Sequence, residues 1–357
     1  MGRTLRIFAA ALAVALSFHL VAAAAARERN VVLVTLDGMP WQEVFRGADP
    51  ARAADRAFVS ELRELKKDFL DPPDRARALM PFLHEVVAKQ GVLLGDRDHG
   101  GCMAVTNDQW FSYPGYNELL TGKPDPAIRS NEHGPNRNVT VLEWLNRQPG
   151  LKGRVQAFAS WEAFRDILNP GRSGVAVNAG WDAAPGTQFA RLQAEVPRLW
   201  PVERFDAFTH VLALEALKGQ SRPRVLYIAY GDTDEFAHEG RYDQMLWAAR
   251  RSDAFLAELW KTLQAHPAYA GRTTLIVTTD HGRGVGGKDA WRHHGRGAFA
   301  QSNETWLAAI GPDVAQGKRP GGECASSSQV AATVASALAL DWRAFDPAAA
   351  RPLDIFR

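Results

Sequence analysis

VVLVTLDG, residues 31–38, passes through six residues without apolar–polar alternation before it reaches Asp37 and Gly38. A strand with one wet face alternates. A strand covered on both faces reads as a continuous apolar run, as in parallel sheets packed under helices. Comparable strand candidates are Val92–Leu94, Arg154–Ala159, Arg224–Tyr230, Thr273–Thr279 and Thr305–Ile310. Helical spacing falls between them, most clearly over Tyr242–Leu263, where Leu246, Ala249, Leu256, Leu259 and Leu263 recur on one face. Gln329–Leu340 reads as a second, Ala-rich helix, and Glu61–Leu70 as a charged, more exposed one. This alternation predicts an α/β domain with a central, mainly parallel sheet and helices on both faces.

The 357 residues are 46% hydrophobic and 23% charged, an ordinary globular balance with length for a large core. The 42 basic and 40 acidic residues leave a net charge of only +2. That balance gives no support for a nucleic-acid-binding surface, which carries a basic excess. The Pro/Gly-rich stretches 169–186 and 311–322 read as loops, and neither divides the chain. Residues 27–357 are therefore expected to form one domain.

The N-terminus follows a different logic. MGRTLR is basic, IFAAALAVALSFHLVAAAA is apolar, and small residues follow up to Arg27. This is the layout of a secretory signal peptide over residues 1–26, with cleavage near Ala26. An uncleaved anchor is the alternative, since the run approaches the length of a span. No later stretch is apolar enough to cross a membrane. Export, with the periplasm as the expected destination, would place Cys102 and Cys324 where a disulfide can form. Two buried thiols are the other reading. A Cys-liganded zinc site does not fit, because neither cysteine has a second one nearby.

Acids and histidines mark the ends of the apolar runs. Asp37 ends the first, RVLYIAYG leads into DTDEFAH with Asp234 and His238, and TTLIVT leads into Asp280 and His281. His294 precedes Gly295 in WRHHG, and Ser112 stands in FSYPGYNELLTG. In open α/β sheets, functional groups gather beyond the C-terminal strand ends. Asp234 and His238, three residues apart in between, can reach one ion from a turn or a helix start, with His294 completing the set. Asp280 and His281 can turn inward just past their strand, joined by Asp37 and Ser112. Imidazole and carboxylate are zinc ligands, and two metals beside an oxygen nucleophile are the parts of a phosphoryl-transfer site. Taken singly, each motif also reads as a turn former, a cap or a solvated loop.

In their order and spacing, these five blocks resemble the alkaline phosphatase superfamily. LDG resembles its first metal motif, SYPGYNELLTG its nucleophile segment, DTDEFAH its D-x-x-x-H motif, and TTDHG with the later HG its last two. The resemblance spans most of the mature chain and implies an alkaline-phosphatase-like fold. It assigns Asp37, Ser112, Asp280 and His281 to one divalent ion and Asp234, His238 and His294 to the other, with zinc the commonest metal. His293 is set aside because the motif places its His directly before Gly, and Asp232 stands as a supporting group or alternative ligand.

The resemblance implies a phosphoric ester hydrolase, phosphatase or phosphodiesterase, acting on a small-molecule ester. Ser112 would attack phosphorus and water would then release the phosphoseryl intermediate. NEHGPNRN resembles the place where related phosphodiesterases keep a substrate-contacting Asn, which points to Asn138 and Asn136. Sulfatases of the superfamily carry C/S-x-P-x-R; here the Arg is replaced by Tyr116, which argues against a formylglycine sulfatase. Transfer to an alcohol is a second enzymatic reading, and a non-catalytic metal-containing envelope protein is a third. Arg283, Lys288, Arg292 and Arg296 are possible phosphate binders or solvated charges, and Trp110, Phe111 and Tyr113 a possible apolar wall. Substrate identity and oligomeric state are not legible.

Overall fold

The computed structural model describes residues 28–357 except 133, 185, 187–188 and 318–321. The expected signal peptide, 1–26, lies outside the described residues. Among the described residues nine strands form: β1 (Asn30–Leu36), β2 (Val92–Leu94), β3 (Met103–Ala104), β4 (Val155–Ala159), β5 (Ala176–Ala179), β6 (Val225–Tyr230), β7 (Thr273–Thr278), β8 (Leu307–Ile310) and β9 (Ala325–Ser326). Seven of them make one sheet in the order β2-β8-β7-β1-β6-β4-β5. Only β8 runs against its neighbours; the other contacts within this sheet are parallel. The fold class is the α/β sheet expected from the sequence.

The missing alternation in the central strands has a direct cause. Val32, Val34, Leu226, Ile228, Leu275 and Val277 face one core, packed under α4 (Tyr242–Ala265). Val31, Leu33, Val225, Tyr227 and Ile276 face a second core, with α1 (Ser112–Thr121) and α5 (Gln329–Ala337). Both faces are dry, so both parities are apolar. A buried side chain of this kind stabilises by about 1.5–3 kcal/mol, enough to fix the register wherever two faces demand it.

One sequence expectation for the fold, the loop over 169–186, needs correction. Residues 169–186 contain β5, an edge strand that pairs only with β4 and is partly exposed, so it carries no buried apolar signal. The helix α2 (Asp206–Lys218) was not anticipated. Glu61–Leu70 is helical from Leu62 on, with its charged residues Glu61, Arg63, Glu64, Lys66 and Lys67 exposed, as expected, while Leu65 and Phe69 turn into the first core. Cys102 and Cys324 form a disulfide beside the short β3–β9 pair. No helix among the described residues is long and apolar enough to cross a membrane.

Candidate active site

Sheet register builds the site. Thr35 pairs with Thr278, so Asp37 and Asp280 stand level, each two residues further on. Leu36 pairs with Tyr230, which levels Asp37 with Gly231. The helix α3 (Asp232–His238) starts immediately after Gly231 and carries Asp234 in its first turn and His238 at its end. Three adjacent central strands, β7, β1 and β6, thus deliver their acids to one edge.

Ser112 arrives from α1, whose first residue it is. Gly115 lets that helix sit directly on Asp280, since a β-carbon there would lie 2.5 Å from the Asp280 carbonyl oxygen. Behind Ser112, the buried Glu118 carboxylate accepts from Thr106 N, Asn107 N and Asn107 Nδ2 at 2.7–3.0 Å, and from Ser328 Oγ at 2.8 Å. Asn107 Oδ1 in turn accepts from Gln109 N and Trp110 N. That chain of bonds holds Trp110 at φ 61°, a left-handed conformation a tryptophan adopts only when its surroundings impose it.

The seven anticipated metal-site residues come together. His281 Nε2 lies 3.2 Å from Ser112 Oγ, 3.4 Å from Asp37 Oδ1, 3.4 Å from Asp280 Oδ2 and 3.9 Å from Asp234 Oδ1. His238 Nε2 lies 3.0 Å from His294 Nε2 and 3.1 Å from Asp234 Oδ2. Donor atoms of Asp37, Asp280 and His281 form one compact group and those of Asp234, His281 and His294 another. His281 therefore stands between the two clusters, rather than wholly on the side of Asp37.

The donor set suits divalent cations. Asp37 Oδ1 and Asp280 Oδ2 are buried with no hydrogen-bond partner among the described residues, at the point His281 Nε2 faces. His281 Nδ1 is 2.9 Å from the Gly282 carbonyl, which as acceptor fixes the Nδ1–H tautomer and leaves the Nε2 lone pair on the site side. Burying three carboxylates without cations is expensive. Burial, then the neighbouring Asp234, pushes the Asp37 carboxyl up, and burial with Asp37 pushes Asp280 well above the usual range. Burial opposes the His281 cation, but the charges of Asp280, Asp37 and Asp234 outweigh it and hold the imidazole up at about 9. Burial and the His281 charge push His294 well down. Asp234 moves the other way: burial is outweighed by the Arg283 guanidinium, which holds it well below the carboxylate range.

The remaining expectations divide. Asn136 and Asn138 are not brought to the site. The amide nitrogen of each donates to Asn117 Oδ1, and Asn138 also donates to Asp125, so both brace a loop behind α1. The asparagine that lines the cavity is Asn131, in the same segment, whose Oδ1 accepts from the Tyr113 amide. Trp110, Phe111 and Tyr113 are not among the residues of the wall; Tyr113 is buried and donates to the Gly134 carbonyl. Asp232 accepts from the Asp206 amide and pairs with Arg251, away from the donors. Of the four basic residues, Arg283 is buried against Asp234, Lys288 pairs with Asp55, Arg292 donates to the His238 carbonyl and Arg296 pairs with Asp108.

The donors open into a cavity of about 310 Å³ lined by Asp37, Ser112, Asn131, Trp161, Glu203, Asp234, Glu235, His238 and His294. Its described lining holds no Lys or Arg. Trp161 and Glu203 gave no sequence signal, because they belong to no motif; Glu235 stands at a variable position of DTDEFAH, and the three meet only through the fold.

The profile of type I phosphodiesterases and nucleotide pyrophosphatases matches residues 131–288. That range holds Asp234, His238, Asp280 and His281, while Asp37, Ser112 and His294 lie outside it. An alkaline phosphatase superfamily protein from Vibrio parahaemolyticus superposes with TM-score 0.54 at 15% identity, over 88% of this chain and 67% of that one. The chain carries the alkaline phosphatase superfamily fold. Murine ectonucleotide pyrophosphatase/phosphodiesterase 5, solved with AMP, shares it with TM-score 0.54 at 14% identity, over 88% and 96% of the two chains. A candidate sulfatase from Bacteroides thetaiotaomicron does so with TM-score 0.57 at 12% identity, over 92% and 76%. A comparison with curated protein sequences finds no match. Solved structures that share the fold carry the names of phosphodiesterases, sulfatases and a lipoteichoic acid synthase, and the Asp/His groups here could hold metal ions.

Proposed function

We propose that this chain is an exported, two-metal phosphodiester hydrolase that uses Ser112 as nucleophile. The observation carrying the proposal is the meeting of Ser112 Oγ with His281 Nε2 at 3.2 Å, inside a donor set whose cavity has no basic residue among its described lining. A phosphate monoester dianion gains most from an added Arg or Lys, whereas a diester carries a single charge and needs room for a second substituent. The absence of a basic lining and the volume of the cavity both favour the diester.

Asp37, Ser112, Asp280 and His281 would hold one ion, and Asp234, His238 and His294 the other, with zinc suited to this mixture of imidazole and carboxylate. When bound, the ions supply Lewis acidity that favours the Ser112 alkoxide and offsets charge on the leaving oxygen. Ser112 Oγ forms the bond to phosphorus as the bond to the leaving alcohol breaks. Ser112 then carries a phosphodiester with the retained substituent, and water cleaves it to a monoester and free serine. The positive end of the α1 dipole favours an anion beside Ser112, although within that first turn the Tyr113 amide is bonded to Asn131, residue 114 is Pro and the Gly115 amide is bonded to the Phe111 carbonyl. Asn131, with its Oδ1 held by the Tyr113 amide, has its amide nitrogen as the donor for a non-bridging oxygen. Tyr116, standing where the formylglycine motif has Arg, supports an unmodified serine and a phosphoric rather than a sulfuric ester.

Export rests on the signal-like residues 1–26 together with the disulfide, which belongs to an oxidising compartment. Residues 27–357 would then act as one catalytic domain. The test is turnover of matched aryl phosphate diester, monoester and sulfate by the zinc-loaded protein and by Ser112→Ala. Diester preference abolished in the variant is expected; sulfate turnover alone would overturn the proposal.

A further inference from the structure

One wall of the cavity plays no part in the chemistry above. Trp161 and Glu203 face each other in an isolated antiparallel bridge just past the end of β4. The flanking bonds run from Glu162 N to the Val202 carbonyl and from Arg204 N to the Ser160 carbonyl. Trp161 and Glu203 are therefore the pair that exchanges no hydrogen bond of its own, the arrangement that brings opposed side chains closest. Both line the cavity, and Glu235 joins them from the first turn of α3.

The carboxylate of Glu203 is placed there at a cost. The residue is only 5% exposed, and Glu203 Oε1 is buried with no hydrogen-bond partner among the described residues. Gly231 makes the space: a β-carbon there would fall 1.3 Å from Glu203 Oε1. Gly231 has φ −125°, which any residue can adopt, so backbone conformation does not require glycine. Glu203 and Glu235 share a hydrogen bond, which holds one proton between the two carboxyls and leaves the pair a single negative charge, and the other charged groups nearest Glu203 are the acids Asp37 and Asp206. A buried acid with no basic partner is normally avoided. Here it lies beside an aromatic ring, and a carboxylate next to an aromatic face is the recognition chemistry of an organic cation.

We propose that Trp161, Glu203 and Glu235 bind an ammonium or quaternary ammonium group on one ester substituent, so that the preferred substrate is a phosphodiester of an amino alcohol. The inference rests on the phosphodiesterase reading and names its substrate class. It also accounts for acids in a cavity that must admit a phosphate: the repulsion is offset when the substrate carries its own cation.

The test compares kcat/KM for 4-nitrophenyl choline phosphodiester and for the 3,3-dimethylbutyl diester, its neutral carbon isostere. A preference of about tenfold or more for the cation is expected, in line with a desolvated cation–aromatic contact. Glu203→Gln and Trp161→Leu should bring the ratio close to one, while Trp161→Phe, which keeps an aromatic face, should restore much of it. Choline should also inhibit hydrolysis of bis(4-nitrophenyl) phosphate competitively where 3,3-dimethylbutanol does not. Equal rates for the two isosteres, with no inhibition by choline, would overturn the proposal while leaving diester hydrolysis intact. Choline titrated calorimetrically into the metal-loaded protein separates the two claims. Binding lost in Glu203→Gln, without turnover of any diester, would uphold the cation site and reject the hydrolase reading.

Discussion

Tyr116 donates its phenol to Asp37 Oδ2 at 2.8 Å, wholly inside the protein. Burial and the charges of Asp280 and Asp37 hold that phenol protonated far above its usual range, so it acts only as donor. It leaves Oδ1 as the oxygen on the side of His281. Removing an outer hydrogen bond to a metal ligand costs about 10–100-fold in metal affinity or activity. Tyr116→Phe should fold normally, since the ring stays packed edge-on against Phe164. Metal content after dialysis against a weak chelator should fall by about that factor. Unchanged retention would remove Tyr116 from the metal account.

Gly115 sets the position of the nucleophile. Gly115→Ala puts a methyl 2.5 Å from the Asp280 carbonyl, so α1 must lift away and Ser112 with it. A misplacement of about 1 Å can cost on the order of 100-fold in rate. The expected result is a fall of about that size in kcat, with a smaller change in KM. Near-parent kcat would mean that the helix start tolerates movement.

The central strands and the acids that follow them were legible because the same physics places both. Two buried faces make the runs over 31–36, 225–230 and 273–278 apolar, and the acid that follows each run lies at the level edge where the strands stop. Asn131 could have been found by the same resemblance that singled out Asn136 and Asn138, but spacing alone could not show that those two brace Asn117 instead. Arg283 looked like a loop charge or a phosphate binder. Only the fold reveals that its guanidinium is buried against Asp234. Trp161 and Glu203, 42 positions apart, meet through one bridge that no local pattern records. β5 was missed because an edge strand with exposed positions lacks the signal that identified the others.

A pH effect separate from the metal site arises at Asp253 on α4. Burial pushes its carboxyl from 3.8 up to about 7, although the amides of Phe82 and Leu83 and the nearby Arg250 pull the other way; Glu85 adds to the rise. The folded state thus holds a proton that the unfolded chain releases near 3.8. The stabilising contribution is full at low pH and is lost as pH rises toward 7, by roughly 1.4 kcal/mol per unit at most. Asp253→Asn removes this dependence. Urea unfolding between pH 4 and 8 should show the variant gaining on the parent up to about 7 and levelling off beyond. A constant difference across that range would contradict the assignment.

The disulfide closes a sequence separation of 222 residues. Replacing Cys102 and Cys324 by Ser should cost about 2–5 kcal/mol, mainly through the freedom returned to the unfolded chain. The bond lies by β3 and β9, apart from the metal donors, so the folded variant should still bind metal. Thermal unfolding and metal content measured on the same sample separate these effects. A double variant with unchanged Tm would show that the long closure contributes nothing.

The central claim, that Ser112 forms a covalent bond to phosphorus, is tested most directly by acid-quenching the zinc-loaded protein during turnover of an aryl phosphodiester and mapping its peptides by mass. The account predicts an adduct of phosphate plus the retained substituent on the peptide containing Ser112, absent from Ser112→Ala, which should turn over negligibly. Full turnover by Ser112→Ala, with no adduct in the parent, would contradict it.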